Sequence, residues 1–512
     1  MRKLAAVLLT LALLTGLVST ASAAKPKTLE IYWIANATKA DEEKWIPIKE
    51  GVEEAINEYI EPLINAHVHF HLVNWDDWTT DALQPLLDGE RIDLIFTADW
   101  RDYVQEINAD KLVALDDTLL PEYGQDILSS LSADFLDGVR YGYGQHIYGI
   151  PTNKELCVPT GLIVNKTAAL EIGWDPEKDP VKTTEELEPW LAKYREKYPL
   201  KDYPNKYPYL MEKGRWSDEP WGHEWIGIEE DALSMKYARQ EDGTFDETVY
   251  SIYETPEQEA HIRLMYDWAQ KGYIAPDAAT YNYNAIFGSG DFLVFTQPLK
   301  GNNIKSAEMY TANHPADAPA FECVEIIMQD KYKVTTQAGG SMFAIPFSSK
   351  YKDQAMQYLN LMHSDETLVN LMLFGKEGVN YTRVNDRQVE PIADANWYGL
   401  HGGAWTVGNT KLQYVLTTED PEKNALLQEY ANDAPKTASY GFRFDKTKAQ
   451  DKVDAVARVA AEFARPLMVG AVDPDDPEKG LEAFRKALKE AGIDELKAEV
   501  ERQYEEWKSS MK

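Results

Sequence analysis

A chain of 512 residues is too long for one ordinary domain, at roughly 100–200 residues each, so at least two lobes are expected. With 44% hydrophobic and 27% charged residues, a large folded core is expected and general disorder is excluded. The formal net charge of −33 repels phosphate backbones and anionic headgroups, which argues against nucleic acid and membrane surfaces as partners.

Arg2 and Lys3 precede an apolar run at 4–14, LAAVLLTLALL, and Ala21-Ser22-Ala23 offers a small-x-small cleavage site. Residues 1–23 read as a secretory signal peptide, too short to span a bilayer. Leu29 to Ile34 reads as a strand, and residues 41–60 as a helix with Ile48, Val52, Ile56 and Tyr59 on one face. Val68 to Val73 is a second strand, 76–87 a helix ended by Gly89, and Ile92 to Phe96 a third strand. This alternation predicts an α/β plan with a mostly parallel sheet. In such sheets ligands sit beyond the carboxyl ends of the strands. The loops Asn36-Ala37-Thr38 and Thr97-Ala98-Asp99-Trp100 are therefore of interest.

The stretch 148–174, YGIPTNKELCVPTGLIVNKTAALEIGW, sets a polar crossing between two apolar runs. Residues 167–285 are rich in aromatics, Pro and Gly, and helical periodicity returns at 257–271. Phe292 to Phe295 reads as a strand leading to Gln297 and to Gly301-Asn302-Asn303. A further crossing, 338–346, opens a helix through Ala355 and Met362, and the tail 448–512 is helical with a break at Gly492.

His67, His69 and His71 share one strand face. Zinc draws its ligands from separated elements, whereas three in a row along a strand splay over roughly 13 Å, so the run reads as a solvent-facing strand. Asp473 to Glu478 lacks the glycine and the final glutamate of a calcium loop and reads as a turn before a helix. Cys157 and Cys323, far apart in sequence, read as buried free thiols. No metal and no cofactor are expected. No nucleophile, zinc or dinucleotide motif occurs, although 85 acidic residues leave a glycosidase pair open. The 14 Trp and 29 Tyr are the remaining signal. Rings in loops beside amides and carboxylates suit a sugar, with apolar faces to stack on and hydroxyls to bond.

The crossing IYGIPTNKELCVPTGLIVNKTAALEIGW, the strand GERIDLIFTADW and the return AGGSMFAIPFSSKYKDQAMQYLNLM resemble family 1 extracellular solute-binding proteins, the maltose-binding-protein-like receptors of ABC importers. FGKEGVNYTRVND, GNTKLQYV, YGFRFDKTK and the segment from GAVDPDDPEKG onward resemble the C-terminal domain of the LipO-like subgroup. That subgroup's lipobox cysteine is replaced by Leu17 after Leu14-Thr15-Gly16, so no lipid anchor is expected and the protein would be periplasmic or extracellular.

The resemblance implies a two-lobed, type II periplasmic-binding fold with a hinge and an added C-terminal helical region. Lobe one is placed at 25–152 and 290–336, lobe two at 157–285 and 340–435, and the helical domain at 436–512. The implied function is capture of an oligosaccharide by a monomer for ABC permease subunits, without bond-making. Loop placement gives the candidates Asn36, Asp99, Trp100, Lys154, Glu155, Trp221, Gln297, Asn302, Trp397 and Trp405. The aromatics would stack, the polar groups would bond hydroxyls, and Lys154 would orient Glu155 toward the ligand. A secreted carbohydrate-active hydrolase or lyase, or a same-fold receptor for peptides or other polar solutes, are the alternatives.

Overall fold

The computed structural model describes residues 25–142, 144–212, 223–225, 232–236, 244 and 247–511. The leader reading at 1–23 and the candidate Trp221 lie outside them. Lobe one opens with β1 (Lys27–Ala35), α1 (Glu42–Ile64), β2 (Ala66–Asn74), β3 (Leu94–Thr97), α2 (Tyr103–Asn108) and β4 (Gly149–Pro151). Lobe two follows with β5 (Thr160–Asn165), β6 (Tyr209–Leu210), α3 (Pro256–Gln270), β7 (Val294–Pro298), α4 (Ile304–Asn313) and β8 (Cys323–Ile327). The chain returns through β9 (Met342–Ala344) and α5 (Lys423–Asn432), then ends in α6 (Gln450–Met468), α7 (Leu481–Ala491) and α8 (Ile493–Ser510).

The lobe-one sheet runs β2-β1-β3-β9-β4. β1 pairs in parallel with β2 and β3, whereas β9 is antiparallel to β3 and β4. β2 is an edge strand, and α1 covers its open side with polar side chains. Asn57 accepts from Val68 N at 2.6 Å and donates to Val68 O at 3.2 Å, Glu53 accepts from Phe70 N, and Lys49 donates to Phe70 O. Satisfying an open edge in this way removes a template for aggregation.

The lobe-two sheet runs β8-β5-β7-β6. This corrects the assignment read from sequence. Residues 294–298 and 323–327 both pair with β5 and belong to lobe two, while 342–344 pairs with β3 and β4 in lobe one. Core side chains from Ala338 to Ala434 likewise join the lobe-one core. The physical reason is that β7 and β9 are buried on both faces along most of their length. Nothing in their alternation marks which sheet receives them.

A third core joins α6, α7 and α8 to Leu233, Met235, Val249 and Ile262. α3 serves both neighbours, sending Met265 and Trp268 into the lobe-two core and Ile262 into the third. The turn after α6 comes so close to α3 that a Cβ on Gly470 would stand 2.2 Å from Met265 O. Gly492, at φ 92°, caps α7 in the left-handed region and starts α8. Asp473 and Asp476 spend their carboxylates on backbone N–H groups of the same turn, as expected of a turn before a helix. Both cysteines are free. No helix among the described residues is long and apolar enough to cross a membrane.

Candidate functional site

Three chain segments connect the halves: 152–159, 328–341 and the stretch after α5. The second and third run side by side, with Lys333 N donating to Pro435 O at 2.8 Å and Thr437 N to Lys333 O at 3.1 Å. Register shows which edge they leave from. Met342 lies opposite both Thr97 and Pro151, so β4 exits and β9 enters at the carboxyl end of β3. In lobe two, Thr160 lies opposite Pro298 and Gly161 opposite Ile327, so the start of β5 meets the ends of β7 and β8. The loops at those two edges bound the gap between the lobes.

The lobe-one edge carries a tryptophan platform. Trp75 follows β2, Trp100 follows β3, and Trp405 comes from the loop after Gly402-Gly403. The Trp75 ring lies 6.0 Å from Trp100 at 27° and 6.2 Å from Trp405 at 25°. Phe96 packs against both Trp100 and Trp405. Trp100 is 37% exposed although fixed by its indole N–H, which donates to Gly340 O at 2.7 Å. Trp75 donates to Asn36 Oδ1 at 3.1 Å, and Asn36 Nδ2 donates to His401 O at 3.1 Å. His401 is fully buried, stacks on Trp33 at 4.7 Å, and has its imidazole pushed down to about 4 by burial. Its Nε2–H donates to Leu373 O while Nδ1 accepts from Gly403 N, which anchors the Trp405 loop.

The lobe-two edge is polar. Gln297, at the end of β7, donates to Glu212 at 3.1 Å, and Tyr283 donates to the other Glu212 oxygen at 3.3 Å. Behind it, charges alternate across the hinge. Lys154 donates to Gln337 at 3.2 Å and faces Glu155 at 3.5 Å. Glu155 faces Lys300 at 3.6 Å, Lys300 faces Glu308 at 3.1 Å, and Glu308 meets Lys423 of lobe one at 2.7 Å. Lys423 in turn holds Glu419 at 2.7 Å. Burial pushes the Glu155 carboxyl up, but Lys154 and Lys300 outweigh it and hold the group below its ordinary value. Burial lowers the Lys154 ammonium, only partly offset by Glu155.

The candidates read from sequence separate into groups. Asn36, Trp100 and Trp405 come together in the platform, and Gln297 stands on the opposite edge. Lys154 and Glu155 lie in the charge ladder, buried, with their polar atoms turned to each other and to neighbouring side chains. Asp99 is absorbed by the fold. Arg443 grips it through Nε and Nη2, the latter at 2.7 Å, and also donates to Gly138 O and Arg140 O. A Cβ on Gly339 would stand 2.1 Å from Asp99 Oδ2, so only glycine fits there. Beside this pair a cavity of about 550 Å³ lies between Arg101, Asp102, Thr335 and the first residues of the C-terminal region, Lys446 and Thr447 among them.

Trp397 is a core residue, fully buried, edge-on to Trp33 and bonded to Met372 O. Asn302 is exposed at φ 52°, between Gly301 and Asn303 in the left-handed region. Its role is to turn the chain into α4. Sequence reasoning passed over Trp75, Glu212, Tyr283 and Arg443. Trp75 was findable, since the loop after the second strand opens on the same sheet edge as the two loops singled out.

Two lobes with separate sheets and cores, joined by three strips and bordered by an edge of rings and an edge of amides and acids, define a hinged solute receptor. The chain belongs to the family of bacterial extracellular solute-binding proteins, whose model matches residues 87–374. Residues 438–509 match a domain of unknown function, DUF3502. The chain is 24% identical over 468 residues to a carbohydrate ABC transporter substrate-binding protein of Streptococcus pneumoniae, covering 89% of this chain and 87% of that one. It is similar in fold to the N-glycan transport solute binding protein NgtS of S. pneumoniae, with TM-score 0.77 at 19% identity over 95% of this chain and all of that one. Against NgtS in complex with Man5GlcNAc the TM-score is 0.68 at 20% identity, over 95% and 99% of the two chains.

Proposed function

We propose that this chain captures a saccharide in the gap between its lobes and presents it to an ABC permease, without making or breaking bonds. The observation that carries the reading is the platform of Trp75, Trp100 and Trp405 opposite the Gln297–Glu212–Tyr283 group. A pyranose has ring faces for the first and hydroxyls for the second, so it gains most when both edges reach it. A ligand touching both lobes binds the closed form better and shifts the population toward it. The carbohydrate assignment of the pneumococcal relative supports the same class of ligand. The leader at 1–23 would carry the protein out of the cytoplasm.

A thermal-shift screen of oligosaccharides and peptides, paired with an assay for new reducing ends, tests the proposal. A ligand that binds only the folded chain raises its melting temperature. A shift with oligosaccharides and no new reducing ends is expected. A shift with peptides alone, or release of reducing ends, would replace this reading by one of its alternatives.

A further inference from the structure

We propose that Glu30, His69 and His71 form a binding site for a divalent transition metal, zinc above all, on the outer face of lobe one. The alternation of β2 sends Val68 and Phe70 into the core and His67, His69 and His71 outward. On spacing alone the three imidazoles would splay. The structure separates them instead. His67 turns away to Glu61 at 2.7 Å, while the rings of His69 and His71 converge to 4.9 Å. Parallel pairing sets Glu30 of β1 opposite His69, and His71 Nε2 stands 2.9 Å from Glu30 Oε2. One ligand atom from each of Glu30, His69 and His71 lies within 4.8 Å of the other two. Around a tetrahedral zinc, donor atoms stand about 3.3–3.5 Å apart, so small side-chain rotations complete the set. Two imidazoles and one carboxylate select zinc and its neighbours over calcium or magnesium, which prefer oxygen alone.

The surroundings hold the donors in place. Tyr32 stacks on His71 with centroids 4.3 Å apart and planes at 16°. His69 Nδ1 faces Glu53 Oε1 at 3.4 Å, and Glu53 is itself fixed by Phe70 N and by Lys49. A carboxylate behind an imidazole sets its tautomer and raises its basicity toward a metal at the other nitrogen. Arg91 reaches the far oxygen of Glu30 only at 3.9 Å, because Asp93 holds it at 2.6 Å. A second cluster, Asp116, Asp117 and His146, has the same compactness. There Asp116 already accepts from Arg140 at 3.0 Å and from Ile147 N, so its carboxylate oxygens are engaged.

Isothermal titration of the chelator-stripped full chain with zinc chloride, alongside circular dichroism, tests the site. One zinc per chain is expected. Affinity should fall at least about tenfold in His69→Ala and His71→Ala, and stay unchanged in His67→Ala and His146→Ala. Glu30→Gln keeps the side-chain volume and gives the same reading where a histidine variant fails to fold. Absence of zinc binding in the wild type, wild-type affinity in the His69→Ala/His71→Ala double variant, or loss in His146→Ala instead would overturn the proposal.

Discussion

The two edges that face each other across the gap handle polarity in opposite ways. On the lobe-one side two acids that follow β3 are withdrawn, Asp99 locked to Arg443 and Glu106 buried on α2, and indole faces stand at the surface. On the lobe-two side the acids and amides stay at the edge or run in an alternating ladder through the hinge, from Gln337 by way of Lys154, Glu155, Lys300 and Glu308 to Lys423. The contrast teaches what the gap can hold. A purely apolar ligand would strand the Gln297–Glu212 side, and a purely ionic one would gain nothing from three tryptophans. A ligand with flat apolar faces and a polar rim uses both.

Breaking the withdrawal of Asp99 should give the largest effect. Arg443→Met leaves a buried carboxylate without its cation and is expected to cost about 3–5 kcal/mol of unfolding free energy. Asp99→Asn added to it should recover much of that loss, as urea titration would show. If Asp99→Ala abolished solute binding while leaving stability untouched, the contrast between the edges would fail.

The second effect concerns Glu106, whose carboxyl is pushed up to about 8 by burial, with Thr97 opposing. The folded chain keeps a proton there that the unfolded chain releases above its ordinary value of 4.5. Stability is therefore full below that pH and declines as pH rises toward 8, by about 1.4 kcal/mol per unit. Glu106→Gln has no proton to lose. It should exceed the wild type by roughly 3 kcal/mol at pH 7, with the gap closing toward pH 4.5 in thermal melts. A gap independent of pH would show that the carboxyl is not held neutral.

Asn302 should give the smallest effect. Alanine there meets the left-handed conformation at a cost of about 1 kcal/mol. Solute affinity, read by calorimetry, should stay within about twofold, a difference of roughly 0.4 kcal/mol. A large loss would place Asn302 at the ligand after all.

The α/β plan and the first three strands were legible in sequence because β1 and β2 alternate and β3 is a short apolar run bounded by polar loops. The polar crossing at 152–159 was legible for a similar reason, as charges between apolar strands need a place outside a core. Sheet membership of β7 and β9 was not, since both faces of each are buried. Nor were the partners of the site. Asp99 and Arg443 are 344 residues apart, and a loop aspartate looks the same whether a guanidinium or a solute waits for it. Trp397 and Trp405 stand eight positions apart in similar Gly-rich surroundings, yet one fills the core and the other joins the platform. Only packing separates them.

The most direct test of the account is a calorimetric titration of the wild type and the Trp75→Ala/Trp405→Ala double variant with the oligosaccharide that gives the largest thermal shift. Saturable one-to-one binding is expected in the wild type. In the variant affinity should fall by at least about 30-fold, or roughly 2 kcal/mol, with the fold intact. Undiminished affinity in the double variant would contradict the claim that the tryptophan platform receives the solute.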